Sequence, residues 1–188
     1  MELRELIVTR REGAGKEVAK RLRRQGLVPA ILYGGAAPVA VTLDPRDIMK
    51  LLHGQTRGAA LLNIQLDDDP ALRAAIIRDL QYDPVSEAII HVDLQEVTMD
   101  RPITVIVAVH AVGEAAGVKE QSGILEMILR EVQVSCLPRL IPQRIEADVS
   151  ALMIGNVLTV ANLVAPEGVR ILNDPGQAVA TVSPPMAE

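Results

Sequence analysis

The sequence predicts a mainly β protein: a small antiparallel β-barrel with two short helices in the N-terminal half, followed by a second all-β domain. Three observations carry that prediction. Apolar and polar residues alternate through most of the chain, the period of half-buried strands. Gly, Pro and Asp punctuate these runs at short intervals. Only two stretches carry a helical period, and both lie before residue 53.

Taken in order, the first alternating run is 3–10 (LRELIVTR). A helix over 16–25 follows, stopped by Gly26. Strands are then predicted at 28–33 (VPAILY) and 39–44 (VAVTLD). Asp44 at N-cap and Pro45 at the first helical position start a second helix over 45–52, with Gly54 after its end. Three further strands read from 60–66, 71–82 and 88–97, the first two joined by a hairpin tip at Asp67-Asp68-Asp69 that is read as a solvated loop. In the last of these strands Ile90, Val92 and Leu94 are assigned to the core and Ile89, His91 and Asp93 to the outer face. The pattern restarts after VTMDR (97–101), which places a boundary between domains at 1–97 and 98–188. The second half reads as strands in RPITVIVAVHAVG, GILEMILREVQVSC, QRIEADVS, LTVANL, GVRIL and AVATVSPP.

Composition narrows the function classes. At 49% apolar and 23% charged residues the chain has a globular composition, and its 188 residues suffice for two cores. With no Phe or Trp and only Tyr33 and Tyr82, those cores must be aliphatic. No apolar run approaches the roughly 18 residues of a membrane helix. The single cysteine, Cys136, excludes an internal disulfide, fits a reducing compartment and is read as a packing residue; a cytoplasmic protein is expected.

Charge is concentrated in one place. Residues 10–24 hold seven Lys/Arg against Glu12 and Glu17, a net +5 in a chain of net −5, so the other 173 residues total −10. On a helical wheel Lys16, Lys20, Arg23 and Arg24 share an arc of about 100°, with Val18, Ala19 and Leu22 opposite. The pattern is either a solvated helix face or a phosphate-binding one; its lack of mixed signs favours phosphate. His91 and Asp93 stand together on the outer face of their strand, open to four readings: half of a metal site, an acid/base pair, a pair that hydrogen-bonds the polar edges of a ligand, or an exposed His whose charge a nearby Asp tunes. The other histidines, His53 and His110, sit in unrelated contexts, and no nucleophile motif, phosphate-cradling loop or metal-ligand spacing accompanies the pair. No metal, cofactor or small-molecule substrate is therefore expected, nor catalysis. Tyr33, before Gly34-Gly35, is either a rim residue of the core or a platform for a nucleotide.

The order of these pieces is more specific than any one. A strand ending in TRREGAGK, the helix GKEVAKRLRRQG, the strand VPAILYGG and the later LQYDPVSEAIIHVDL together resemble the N-terminal domain of the bacterial large-subunit ribosomal protein twenty-five family, also called the general stress protein Ctc family. Residues 123–172 resemble the additional C-terminal domain of its longer members, so the resemblance covers nearly the whole chain. It implies binding to 5S ribosomal RNA in the large ribosomal subunit, at the internal loop of non-Watson–Crick pairs and the adjoining helix. It further implies that Arg11 and Lys16 meet phosphates before the helix, that Lys20, Arg23 and Arg24 extend this contact, and that Tyr33, Arg78, His91 and Asp93 face the RNA. Leu94 where the family has an aromatic, Glu17 where it has a small residue, and Lys20 where it has Arg are departures from its pattern. The alternative reading is a stress-related, ribosome-associated protein whose acidic C-terminal domain meets a protein partner, such as a neighbouring ribosomal protein.

Overall fold

The computed structural model describes residues 4–13, 15–52 and 61–185. It separates into two compact units, Met1–Ile103 with Leu137–Arg139, and Thr104–Cys136 with Leu140–Glu188.

The first unit is a closed six-stranded barrel. Its elements are β1 (Arg4–Arg10), α1 (Lys16–Arg24), β2 (Val28–Tyr33), β3 (Val39–Leu43), α2 (Pro45–Leu52), β4 (Leu61–Leu66), β5 (Asp69–Tyr82) and β6 (Ile89–Glu96), closing in the order β1-β3-β2-β6-β5-β4. Inward positions supply an aliphatic interior that includes Leu6, Val8, Ala30, Leu32, Ile64, Ile77, Val92 and Leu94, with Ile48 of α2 plugging it and Tyr82 at its margin. Each fully buried Leu, Ile or Val stabilises the barrel by about 1.5–3 kcal/mol, so the interior does not depend on rings. Both predicted helices form. Asp44 accepts the Arg46 amide at 2.8 Å and so caps α2. At the end of α1 the Leu27 amide bonds to the Leu22 carbonyl and the Gly26 amide to that of Arg23, the pattern that closes a helix through a left-handed residue, and Gly26 has φ +78. Gly54, Leu3 and Ala60, which the sequence reading placed at element ends, lie outside the described residues, as does His53.

The barrel is antiparallel at four of its six seams. The other two, β1 with β4 and β2 with β6, are parallel. Each helix sits in a connection that carries the chain past a neighbour: β1 and β2 flank β3 and run the same way. Side-chain alternation reports which face a residue occupies and is blind to strand direction, so the sequence could not distinguish these seams.

A second departure concerns facing. Ile89 is buried, and Ile90 is the half-exposed residue. The β5–β6 register explains the exchange: Gln81 pairs with His91 and Tyr82 with Ile89, so Ile90 is skipped as an extra residue. The predicted hairpin tip at Asp67-Asp68-Asp69 is tied down. Asp67 accepts the Arg10 amide at 3.1 Å, Asp68 lies 3.0 Å from the Arg10 guanidinium, and Asp69 lies 2.9 Å from Arg73. The Ala71 amide first, and then Arg73, hold the Asp69 carboxyl below its ordinary range.

The second unit contains a four-stranded sheet and a three-stranded sheet. The first has the order β10 (Ile145–Asp148), β7 (Ile103–Val112), β9 (Glu131–Cys136), β12 (Arg170–Ile171); the second is β11 (Val157–Thr159), β13 (Ala178–Ser183), β8 (Ile124–Met127). It is β-rich as expected, with a six-residue helix α3 (Ala116–Gln121) that the sequence reading passed over. The run read as one strand from Gly123 to Cys136 breaks at 128–130 into β8 and β9, which enter different sheets, and the run LTVANL stops as a strand at Thr159 and turns into a 3-10 segment. Cys136 is buried among aliphatic residues, and burial raises its thiol pKa.

Two glycines of the barrel separate the two ways a side chain can be excluded. A Cβ on Gly26 meets nothing within 4 Å, whereas on Gly34, at φ +100, it would lie 2.6 Å from the Glu96 carbonyl oxygen. Gly26→Ala is expected to cost about 1 kcal/mol of stability from backbone conformation alone. Gly34→Ala adds a clash between main chains and is expected to cost about 3 kcal/mol or more, measured as a shift of the urea unfolding midpoint.

Candidate nucleic-acid interface

The helix α1 packs against β2 and presents its charged side to solvent: Lys16, Lys20, Arg21, Arg23 and Arg24 are all exposed, while Val18, Ala19 and Leu22 are half-buried. Lys20, Arg21 and Arg24 line a shallow depression with Glu17 and Val18. Arg21 was absent from the sequence-derived set, because on the wheel it lies outside the arc shared by the other four. Arg11 precedes the helix, half-buried. Its amide bonds to the Ala40 carbonyl, its Nη1 donates to the Gly13 carbonyl at 3.2 Å, and its Nε is buried without a partner.

A polar strip runs along the outer face of β2, β6 and β5. His91 Nδ1 lies 2.8 Å from Asp93 Oδ1, where it donates to the carboxylate. The two side chains are 26% and 30% exposed, enough to be touched while still braced by the barrel. Asp93 is opposite Asp79 on β5 and next to Ile31 on β2; Tyr33 is opposite Gln95, and His91 is opposite Gln81. Tyr33 feels this neighbourhood. Its pKa is raised, first by burial of the phenol, then by the negative charge of Asp93, with Arg78 acting in the opposite direction and Asp79 adding to the rise.

Arg78 and Asp79 reach the outer face because β5 slips there. Ile77 pairs with Leu94 and Asp79 with Asp93, so Arg78 is an extra residue. This slip and the one at Ile90 lie at opposite ends of a short window, and each strand supplies one of the extra residues. The structure thus gathers Tyr33, Arg78, His91 and Asp93 into one surface. Arg23 adjoins it, donating from Nε to the Ile90 carbonyl at 3.0 Å. Lys16 stands at the other end of α1, about 10 Å away along the helix axis.

Asp79, Gln81 and Gln95 complete the strip and escaped the sequence reading. A signal for Asp79 was present: in AAIIRDLQY two apolar residues are followed by two polar ones, which alternation permits only where the phase changes.

The two parts suit different chemistry. A row of cations binds phosphate through charge. A strip of carboxylates, amides, imidazole and phenol with the single guanidinium of Arg78 is a weak phosphate site but can accept from amino groups and donate to ring nitrogens on base edges. Among the described residues no group of three or more His, Cys, Asp or Glu is arranged to hold a metal ion.

The profile of the ribosomal L25p family matches residues 6–94, and that of the ribosomal protein TL5 C-terminal domain matches residues 102–186. A large ribosomal subunit protein bL25 of Desulfosudis oleivorans is 42% identical over 186 residues, covering 98% of this chain and 85% of the relative. The proteins of the same name from Anaeromyxobacter sp. strain K and Syntrophotalea carbinolica are 41% and 37% identical; they cover 97% and 98% of this chain, and 75% and 88% of their own lengths are matched.

The Tyr33 environment offers a direct test of the strip. Asp93→Asn removes a charge that raises the phenol pKa and is expected to move it back towards its ordinary value near 10. Arg78→Met removes an opposing charge and is expected to move it further up. Ultraviolet titration of the phenolate reads both shifts.

Proposed function

Because this chain belongs to the ribosomal L25p family, we propose that it acts as a structural protein of the large ribosomal subunit that binds 5S ribosomal RNA. Its relatives carry the name large ribosomal subunit protein, which supports the ribosome as its place of action and a structural role. The observation that carries the RNA assignment is the junction of the cationic helix with the polar strip. In it α1 holds phosphates through Lys16, Lys20, Arg21 and Arg24, with Arg11 ahead of it. The strip of Tyr33, Arg78, His91 and Asp93 reads base edges. RNA minor grooves are wide and shallow and admit a flat strand face, and an internal loop of irregular pairs widens the choice of exposed edges. The acidic body does not prevent this, since potentials act within about 8–10 Å at physiological salt.

We assign RNA binding to residues 1–97 and contacts with a neighbouring protein to residues 98–188. From Val97 onward the chain holds 6 Lys/Arg against 10 Asp/Glu, a net −4, which suits a protein neighbour better than a polyanion. Deleting residues 98–188 is expected to leave RNA affinity within about twofold, below the smallest single-contact effect.

Binding is expected to weaken with salt, log K falling against log[salt] by about 0.7–0.9 per phosphate contact. Lys20→Gln or Arg24→Gln is expected to lower affinity for 5S RNA and for a plain duplex alike. Replacing His91 and Asp93 together by Ala is expected to reduce preference for the loop at least about tenfold, a single base-edge contact being worth about 1–3 kcal/mol. Gel shifts across a salt series measure all of these, and an unchanged loop preference in the double variant removes the strip from the mechanism.

A further inference from the structure

We infer that Arg23 is a positioning residue: it fastens the cationic helix to the polar strip and so sets the angle between phosphate grip and base readout. The inference rests on the RNA-binding reading above and assigns Arg23 a different task from its neighbours on α1.

The helix needs such a fastening. It has nine residues, none fully buried, and its N-cap Gly15 supplies no side-chain cap. Helices shorter than about 12–15 residues are marginal in water and take their stability from packing. The half-buried Val18, Ala19 and Leu22 are the apolar contacts that hold α1 against β2. Its C-terminal end is where direction is fixed. There Leu27 and Gly26 close the last turn, and the Arg23 Nε–H reaches the Ile90 carbonyl at 3.0 Å.

That carbonyl is available for a reason. Ile90 is the residue skipped in the β5–β6 register, and the β2–β6 pairing begins further along at Val92, so Ile90 has no register partner on either neighbouring strand. The next residue is His91. A bond from the helix to Ile90 therefore fixes α1 one residue from the base-reading pair.

Position separates Arg23 from the other cations. Lys20, Arg21 and Arg24 line the depression that includes Glu17 and Val18, whereas Arg23 lines a different groove with Leu27, Val28, Met49 and Ile90. A planar guanidinium with a directed Nε–H meets the requirement, and a lysine ammonium at the same place keeps the charge while losing that donor.

The test uses the full chain, 5S ribosomal RNA, and a control RNA whose internal loop is replaced by Watson–Crick pairs. Arg23→Lys is expected to lose about fivefold or more of the preference for the loop, with the salt slope unchanged. In free protein it is expected to speed amide exchange of α1 about tenfold while barrel strands exchange as before. Lys20→Gln serves as the contrast, keeping preference and lowering the slope by about 0.7–0.9. If Arg23→Lys retains both preference and α1 protection, or if Arg23→Gln lowers the slope as Lys20→Gln does, Arg23 is a phosphate ligand and the inference is overturned. A wild-type chain that does not distinguish the two RNAs overturns the RNA-binding reading itself, and with it this role.

Discussion

The seam between β5 and β6 has to absorb an extra residue on each strand, and the site follows from that constraint. Arg78 is inserted on β5 and Ile90 on β6, so the register that slips after Ile77–Leu94 is restored at Tyr82–Ile89. The displacement is confined to residues 79–81 facing 91–93. Outside this window the ladder and the aliphatic interior continue undisturbed, with Ile77 and Leu94 buried on one side and Ile89 on the other. Where it begins, Arg78 and Asp79 are both exposed, with Asp79 opposite Asp93. A barrel interior tolerates little displacement of packed side chains, so two cancelling slips can alter a surface locally without disturbing the core.

Charge placement then divides the labour. Two carboxylates paired across a strip, Asp79 and Asp93, make a poor phosphate site, and the helix beside them carries the cations. The same arrangement accounts for an anionic protein with a cationic surface: the +5 of residues 10–24 is gathered on one helix and its approach, and the surplus acid is spread elsewhere. Several of those acids are already engaged. Asp67 and Asp68 contact Arg10, Asp69 pairs with Arg73, and Asp83 accepts the amides of Val85 and Ser86.

Much of the barrel was legible because its determinants are local. VPAILY alternates and became β2 at its predicted bounds, and Asp44-Pro45 marked the start of α2. Long-range relations were not legible. Nothing in Leu6 or Val8 says that β1 will run parallel to β4, and the rule that alternate residues share a face failed at Ile89 because it assumes an unbroken register. In the second unit Ile124–Cys136 read as one strand, since the hydrophobic pattern persists through the break at 128–130. The site was more legible than the seam that builds it. His91, Asp93 and Tyr33 stood out by chemistry in an aromatic-poor chain, whereas Asp79 and Gln81 are ordinary residues that gain significance from their neighbours across strands.

Closure of the barrel imposes an order of events on synthesis. The parallel seam joins Val8 to Leu66, so β1 is made 58 residues before the strand that covers its second edge. Contacts so distant in sequence form slowly, and a strand with an open edge is a template for unwanted pairing. The nascent amino-terminal segment must therefore wait, half-paired at best, until translation delivers β4.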